Sequence, residues 1–513
     1  MRRKSASQIL MKGAVCLNIL LFNPRYDPKV LTYQRMSGMP MGLVSIATYL
    51  NRNGHHATII DRAYHSESFE TLDEQYKPDV VGIALMSNMT IVDLQKISGY
   101  FMRKGIPVGV GGTYASSIPE ILLKEKAADF VTIGEGEKIW LNVADALESR
   151  TDLSHVRGIA YYENGEVVNT PAEDFMDLSL LGPSDFSLLQ NVPKYFQTCY
   201  CYNNMVYLYM SKGCTGNCAF CYNASFHHSC RRMRPIEHVL DEVQFLMENY
   251  GLETVYFSDE LWGLQKRERD QLYEQMKARG LSFIWGCQTR IGVLNKEDIR
   301  EMFDNGCRWI MFGIEAPPGH LAKIANKKLP YAKVQETLEW CKEFGIISNI
   351  SFILNYPHET EQDLFDTVAY AQSLTPTLYS ITLYTPMEKS ALYNQVVSEK
   401  LYDPPKTIQQ IQRRGFSEIV YSDFSEVPDR DYKVIRACFM IQDLFARLPE
   451  ESRKNHMTQQ AIESVFLNVK DRKPLDWLIG TYYTGKYFFS MVINALFFPR
   501  IRRKYQFHFR FRR

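Results

Sequence analysis

The chain contains no run of 18 or more consecutive apolar residues, so nothing in it reads as a membrane-spanning helix. Charge of one sign is also missing. A formal net charge of +1 over 513 residues gives no argument for a nucleic-acid partner or a strongly acidic one. Paired cysteines are missing too: the 11 present are odd in number and scattered, which excludes a disulfide framework and fits a reducing cytoplasm. No Ser/His/Asp set and no paired-carboxylate site stands out. Met1-Arg-Arg-Lys4 ahead of Ala14–Phe22 imitates a signal peptide, but Asn23-Pro-Arg-Tyr-Asp27 follows where a cleavage site of small residues belongs, so the segment reads as a buried first strand. What is present is ordinary globular material, 45% apolar and 23% charged, in a length that suits two or three domains.

One stretch organises the rest: Ser211-Lys-Gly-Cys214-Thr-Gly-Asn-Cys218-Ala-Phe-Cys221-Tyr222. It follows Met205–Met210, which reads as a buried strand, and glycines 213 and 216 let the loop curl around something small. Thiolates at CxxxCxxC spacing hold zinc or an iron–sulfur cluster. A structural zinc takes four protein ligands, and no fourth is clearly partnered, although His227, His228 and Cys230 keep that alternative open. Three thiolates on a [4Fe–4S] cluster leave one iron open, which suits catalysis.

With Phe220 before the last cysteine, this motif resembles that of the radical SAM superfamily, and the resemblance runs over roughly residues 200 to 425. It implies a [4Fe–4S] cluster on Cys214, Cys218 and Cys221 whose open iron takes S-adenosylmethionine. It further implies that one electron cleaves the sulfonium to a 5′-deoxyadenosyl radical, supplied through a donor such as flavodoxin or ferredoxin.

Residues 14–150 alternate short apolar strands (17–22, 56–61, 80–85, 108–110, 129–133) with helices over 42–53, 92–104 and 119–126, the pattern of a doubly wound parallel sheet. Glycines collect at the strand ends, where they are common turn residues as well as places for close approach to a ligand. Pro40-Met-Gly-Leu43, Asn53-Gly-His55, Ile60-Asp61, Asp79–Ile83, Gly111-Gly112-Thr113 and Gly134-Glu-Gly-Glu137 together resemble the cobalamin-binding domain that precedes many radical SAM cores. The resemblance implies cofactor-binding roles for Gly42, Ser87, Gly111, Gly112, Thr113, Gly134, Glu135 and Gly136. The Asp-x-His-x-x-Gly motif of other cobalamin proteins is absent, so no histidine of the Asn23–Asp27 loop is the lower cobalt ligand. The fold without the cofactor stays an alternative.

Residues 151–199 read as a linker containing a hairpin around Asn164-Gly165. Residues 200–425 repeat strand and helix six times, resembling the partial (β/α)6 barrel of radical SAM enzymes, with strands at 254–257, 282–286, 309–312, 347–354 and 379–384. Strand ends carry the chemistry of such barrels. By resemblance, Asp259 and Glu260 hold the methionine ammonium, against the plainer reading of a helix cap. Arg290 binds the methionine carboxylate, against a surface ion pair. Glu315 touches the ribose or amino group, and Phe220 lines the cofactor. Asn355-Tyr-Pro-His-Glu359 replaces the usual Gly-x-Pro-Gly-Glu, which suggests a backbone that approaches adenine less closely. Cys287 is expected at the barrel mouth as a radical partner or as inert packing, and Cys199 and Cys201 as metal ligands or ordinary strand cysteines.

Residues 426–513 are expected to be mostly helical, with segments at 430–447 and 459–468. From Trp477 on there is no acidic residue, and Tyr505, Phe507, Phe509 and Phe511 alternate with Gln506, His508, Arg510 and Arg512. That suits either an anionic membrane surface, and then a lipid substrate, or a helix packed on the barrel with a solvated tail. The whole reads as a cobalamin-dependent radical SAM enzyme that methylates an unactivated carbon of a small-molecule, lipid or natural-product substrate. The alternatives are a cyclase or rearrangement enzyme of the same layout, and a cobalamin or iron–sulfur sensor.

Overall fold

The structure, a computed structural model, describes residues 16–27, 38–200, 202–263, 265–414, 424–444 and 499–507. It divides into two compact units, Met1–Lys194 with Pro405–Phe416, and Tyr195–Pro404 with Ser417–Arg513.

Unit 1 contains β1 (Asn18–Asn23), α1 (Met41–Arg52), β2 (His56–Asp61), α2 (Phe69–Tyr76), β3 (Val80–Ala84), α3 (Ile91–Arg103), β4 (Val108–Gly111), α4 (Thr113–Ser117), α5 (Pro119–Lys124), β5 (Phe130–Thr132), α6 (Gly136–Glu148), β6 (Ile159–Glu163) and β7 (Glu166–Asn169). Its sheet runs β2-β1-β3-β4-β5-β6-β7. The first five strands are parallel and the last two antiparallel. Central strands such as β1 are buried over four consecutive residues, because a parallel sheet is covered on both faces and needs unbroken apolar runs. The hairpin assigned above to a linker thus extends this sheet. The sequence reading passed over α2, α4 and α6. The first is short and polar, with Leu72 as its buried side chain, although Ser68 caps it by accepting from Thr71 N–H.

Unit 2 contains β8 (Gln197–Cys199), β9 (Tyr202–Leu208), β10 (Ser211–Lys212), α7 (Asn223–Phe226), β11 (Arg232–Met233), α8 (Ile236–Tyr250), β12 (Thr254–Phe257), α9 (Lys266–Ala278), β13 (Ile284–Thr289), α10 (Lys296–Asp304), β14 (Cys307–Glu315), α11 (His320–Ala325), α12 (Val334–Phe344), β15 (Ile347–Leu354), α13 (Glu361–Ser373), β16 (Leu378–Leu383) and α14 (Ala391–Ser398). Strands β9, β12, β13, β14, β15 and β16 lie side by side, all parallel, and β8 adds antiparallel to β9. This is the six-stranded partial barrel that the alternation implied. The helices that matter to the strand ends have firm starts: Asn295 with Asp298, and Thr360 with Asp363, form reciprocal capping boxes at α10 and α13. The N-terminal end of the lumen is filled by aromatics. Trp309 stacks between Tyr202, at 5.4 Å, and Tyr256, at 6.0 Å, with Tyr200 edge-on.

Two strands are longer than the sequence suggested. The segment 282–286 became β13, ending at Thr289, and 309–312 became β14, ending at Glu315. Glycines 286 and 313 read as strand ends, yet both lie within strands. At Gly286 a Cβ would come 2.0 Å from the Trp309 ring, so this glycine makes room for that ring instead of ending the strand.

After α14 the chain returns to unit 1 as α15 (Ile408–Arg414), whereas the sequence reading kept this stretch in the barrel core. Ile408 and Ile411 are buried in the unit 1 core, and Glu125 accepts from Ile408 N–H at 3.0 Å. Of the C-terminal region, α16 (Asp429–Leu444) and α17 (Pro499–Lys504) are described. The expected helix at 459–468, and Phe509 and Phe511, lie outside the described residues. Tyr505 and Phe507 do not form a strand-like exposed face. Both follow α17, and Tyr505 donates to Asp431 at 2.8 Å while Phe507 packs edge-on against Phe439 at 4.9 Å. Among the described residues, no helix is long and apolar enough to cross a membrane.

Candidate functional site

The cysteine loop leaves the end of β9 and is closed by the β10–β11 pair, in which Lys212 faces Arg232. Its curl needs Gly213 at φ +85, because a Cβ there would lie 2.1 Å from the backbone oxygen of Cys230. The two acids after β12 hold this entry. Asp259, 0% exposed, accepts from Met210 N–H at 3.0 Å and from the Ser211 hydroxyl, and burial pushes its pKa up to about 6. Glu260 accepts from Gly213 N–H at 3.1 Å and lies 3.7 Å from His227 Nε2. This corrects the expected role of Asp259: both its oxygens are engaged inside the protein, so it braces the loop and offers no acceptor to a ligand. Glu260 keeps an exposed edge.

Further along, Asn223 accepts from Cys214 N–H and Cys214 Sγ from Gly216 N–H. Ala219 donates to Ala325 O at 2.9 Å, Asn326 Nδ2 to Asn217 O at 3.0 Å, and Leu392 N–H to Ala219 O at 2.8 Å, so α11 and α14 clamp the loop from outside. Phe220 sits edge-on to Tyr356 at 6.4 Å, which anchors the turn between the last two cysteines. All three thiols are partly buried; burial raises that of Cys218 and pushes that of Cys221 up to about 11.

The set fits an iron–sulfur cluster better than zinc. Tetrahedral zinc with Zn–S near 2.3 Å holds its thiolates roughly 3.8 Å apart. Among the described residues, the ligand atoms that all fall within 4.8 Å of one another are those of His55, Asp145 and Glu148 in unit 1. Cys214, Cys218 and Cys221 form no such group, which does not suit a preformed tetrahedral zinc site.

Around the thiols, a Cβ on Gly216 would lie 3.3 Å from Cys214 Sγ, 3.7 Å from Arg290 Nη1 and 3.9 Å from Cys218 Sγ. Arg290 is therefore beside the cysteines, its Nη2 donating to Lys328 O at 3.0 Å. Glu315 ends β14 at φ +69, with Oε1 accepting from Lys327 Nζ at 3.2 Å and from the Ser351 hydroxyl at 3.1 Å. Lys327 and Ser351 escaped the sequence reading, for a lysine in Asn-Lys-Lys-Leu and a serine inside a strand carry no motif signal. After β15, Asn355 has φ +64 and His358 φ +61. The two positions that lack the usual glycines keep a glycine-like backbone, which asparagine and histidine tolerate better than most residues.

Other expectations resolve differently. Cys287 is 0% exposed, burial raises its thiol, and Cys307 and Cys341 of α12 are the thiols that act on it, so it faces the helix layer as packing and not the barrel mouth. Cys199 packs in the aromatic floor, and Cys201 lies outside the described residues.

In unit 1 the expected cofactor residues gather along the carboxyl ends of β3, β4 and β5 and at the starts of α1, α4 and α6. Gly111 closes β4, Gly112 has φ +111, Thr113 opens α4, Glu135 precedes α6 and Gly136 begins it. Gly42 and Gly134 meet nothing within 4 Å where a Cβ would stand, and the buried Ser87 hydroxyl has no hydrogen-bond partner. Open space, bare backbone and an unsatisfied hydroxyl along one sheet edge fit a large polar cofactor such as cobalamin. Gly136 is explained internally, since Ile46 Cδ1 would stand 2.6 Å from its Cβ.

Comparison with known proteins agrees with this geometry. The profile of the radical SAM superfamily matches residues 208–371, and that of the B12 binding domain matches residues 30–144. An uncharacterised methyltransferase of Pyrococcus horikoshii is 25% identical over 395 residues, covering 75% of this chain and 84% of the relative. The anaerobic magnesium-protoporphyrin IX monomethyl ester cyclase of Rubrivivax gelatinosus is 25% identical over 383 residues, 70% of this chain and 66% of the relative. Among solved structures, the radical S-adenosylmethionine methyltransferase TsrM of Kitasatospora setae superposes with a TM-score of 0.63 at 18% identity, over 74% of this chain and 76% of that one, which shows a shared fold. The chain carries a B12 binding domain followed by a radical SAM domain.

Proposed function

We propose that the chain is a cobalamin-dependent radical SAM methyltransferase acting on a small-molecule substrate in the cytoplasm, with an external one-electron donor such as a flavodoxin or ferredoxin. The observation that carries this is a braced three-cysteine loop at the carboxyl end of a six-stranded parallel barrel, in the same chain as a sheet edge lined by open glycines. Cys214, Cys218 and Cys221 hold the cluster through three thiolates. Arg290 takes the methionine carboxylate with its planar fork, Glu260 the ammonium, and Glu315 the ribose or amino group. The left-handed backbone at Asn355 and His358 lies against adenine. Gly42, Ser87, Gly111, Gly112, Thr113, Gly134, Glu135 and Gly136 cradle cobalamin. When bound, the cluster and S-adenosylmethionine supply a hydrogen-abstracting radical and cobalamin supplies the methyl carrier; the protein positions them and excludes water. Membrane contact is no part of this proposal, since Tyr505 and Phe507 are buried.

A second reading, ring closure without methyl transfer, is favoured by the cyclase relative. Anaerobic reconstitution with iron, sulfide and hydroxocobalamin, followed by metal counting, tests both readings at their root. A cluster with stoichiometric cobalt supports the methyltransferase; a cluster without cobalt ends the methyl-carrier mechanism; neither metal ends both. Product mass then separates the chemistries, one added methyl group per turnover against none.

A further inference from the structure

Glu315 and Lys327 form a nearly buried ion pair, with side-chain exposures of 14% and 8%. A pair so placed is costly unless it is well supported. Ser351 gives Glu315 a second donor, and the pair packs over bare backbone: a Cβ on Gly313 would lie 2.3 Å from Glu315 Oε1 and 2.6 Å from Lys327 Nζ. Lys327 also follows directly on the clamp that binds the cysteine loop, in which Ala325 O accepts from Ala219 N–H and Asn326 Nδ2 donates to Asn217 O. On the other side of Lys327, Lys328 O accepts from Arg290 Nη2 at 3.0 Å, and Arg290 Nη1 lies beside the thiols: a Cβ on Gly216 would stand 3.7 Å from it and 3.9 Å from Cys218 Sγ. The segment is thus tied to the thiol loop on both sides of Lys327, and the pair holds two opposite charges next to it.

We propose that Lys327 and Glu315 are positioning residues that set the reduction potential of the cluster held by Cys214, Cys218 and Cys221, Lys327 raising it and Glu315 lowering it. The inference rests on the cluster assignment above. Reduction adds one negative charge to the cluster, so a nearby cation favours the reduced form and a nearby carboxylate disfavours it. The low dielectric of a nearly buried site strengthens both effects.

The test is a dithionite titration followed by electron paramagnetic resonance, on the reconstituted full chain without S-adenosylmethionine, in wild type, Lys327→Met, Glu315→Gln and the double variant. Lys327→Met should lower the midpoint so that the reduced fraction at a fixed potential falls about tenfold, equivalent to ~59 mV for one electron. Glu315→Gln should shift it the other way, and the double variant should lie between them. Lys327→Arg should stay near wild type. A role confined to holding the loop would move both single variants in the same direction or neither, and either result overturns the proposal. Should Lys327→Met fail to take up iron, the Glu315→Gln shift alone decides its sign. A wild type that binds no iron would instead refute the cluster assignment, a separate outcome read before any titration.

Discussion

The cysteine loop depends on one backbone position, and Gly213→Ala puts that dependence to measurement. Any L side chain at φ +85 is strained, at a cost of roughly 1–2 kcal/mol. The new methyl would also stand 2.1 Å from the Cys230 backbone oxygen, which cannot swing away as a side-chain tip could. Relieving that overlap moves Gly213 off Glu260, forfeiting a hydrogen bond to a carboxylate worth roughly 1.5–3 kcal/mol. The expected loss is about 3–5 kcal/mol, concentrated where the three thiols must be presented together. Gly251→Ala is the control within the same unit: at φ +71 it carries comparable strain but meets nothing within 4 Å. Urea unfolding of the apo chain should show Gly213→Ala losing at least twice as much as the control. Anaerobic reconstitution should leave Gly213→Ala with under a tenth of the wild-type iron, and the control with nearly all of it. Equal stability losses, or full iron in Gly213→Ala, would refute the claim that the Cys230 contact shapes the loop.

Glu359 is 0% exposed, and burial raises its pKa to about 8 from the usual 4.5. The folded state therefore holds that proton more tightly than the unfolded one, so stability is unaffected below the unfolded value and falls as pH rises from about 4.5 to 8, by up to about 1.4 kcal/mol per unit. Glu359→Gln should remove that slope, gaining on wild type between pH 5 and 8 in paired denaturation curves; a constant gap would count against a buried, protonated Glu359. Cys287→Ala should cost about 1–2 kcal/mol of stability through lost packing and leave 5′-deoxyadenosine formation intact, whereas loss of that product with the cluster retained would restore its radical role. Phe507→Ala should destabilise unit 2 by about 3–5 kcal/mol without changing flotation on anionic vesicles, and release from vesicles at unchanged stability would reverse the assignment of this residue to the core.

The two sheets were legible because parallel strands buried on both faces leave unbroken apolar runs, and six such runs between amphipathic helices leave few alternatives to a parallel barrel. The cysteine loop was legible because metal-binding spacing is written in adjacent residues. What escaped were contacts whose partners lie far apart in sequence. Asp259 looked like a ligand acceptor because its position at a strand end could be read, while its engagement with Met210 and Ser211, 49 and 48 residues away, could not. The return of α15 to unit 1 has the same origin, since Ile408 and Ile411 show an apolar face but not which core receives it.

Glycine carries the sharpest form of this limit, because one residue type serves two opposite needs. Gly82 and Gly109 are bare so that Trp140 can press against the sheet: a Cβ on either would stand 2.8 or 2.9 Å from that ring. Gly42 is bare beside empty space, where no neighbour in the protein requires it, whereas Gly134 also faces open space but has φ +104, which by itself favours glycine. Sequence shows both kinds as the same letter, and it took Gly286, pressed by Trp309, for the end of a strand. At Asn355 and His358 the positive φ is held without glycine, so a missing glycine does not by itself report the backbone conformation. A glycine is therefore informative about a ligand only after the side chains that could have demanded it are accounted for. By that criterion the cobalamin assignment rests most firmly on Gly42 and the unsatisfied hydroxyl of Ser87, and less on the larger set of strand-end glycines that first suggested it.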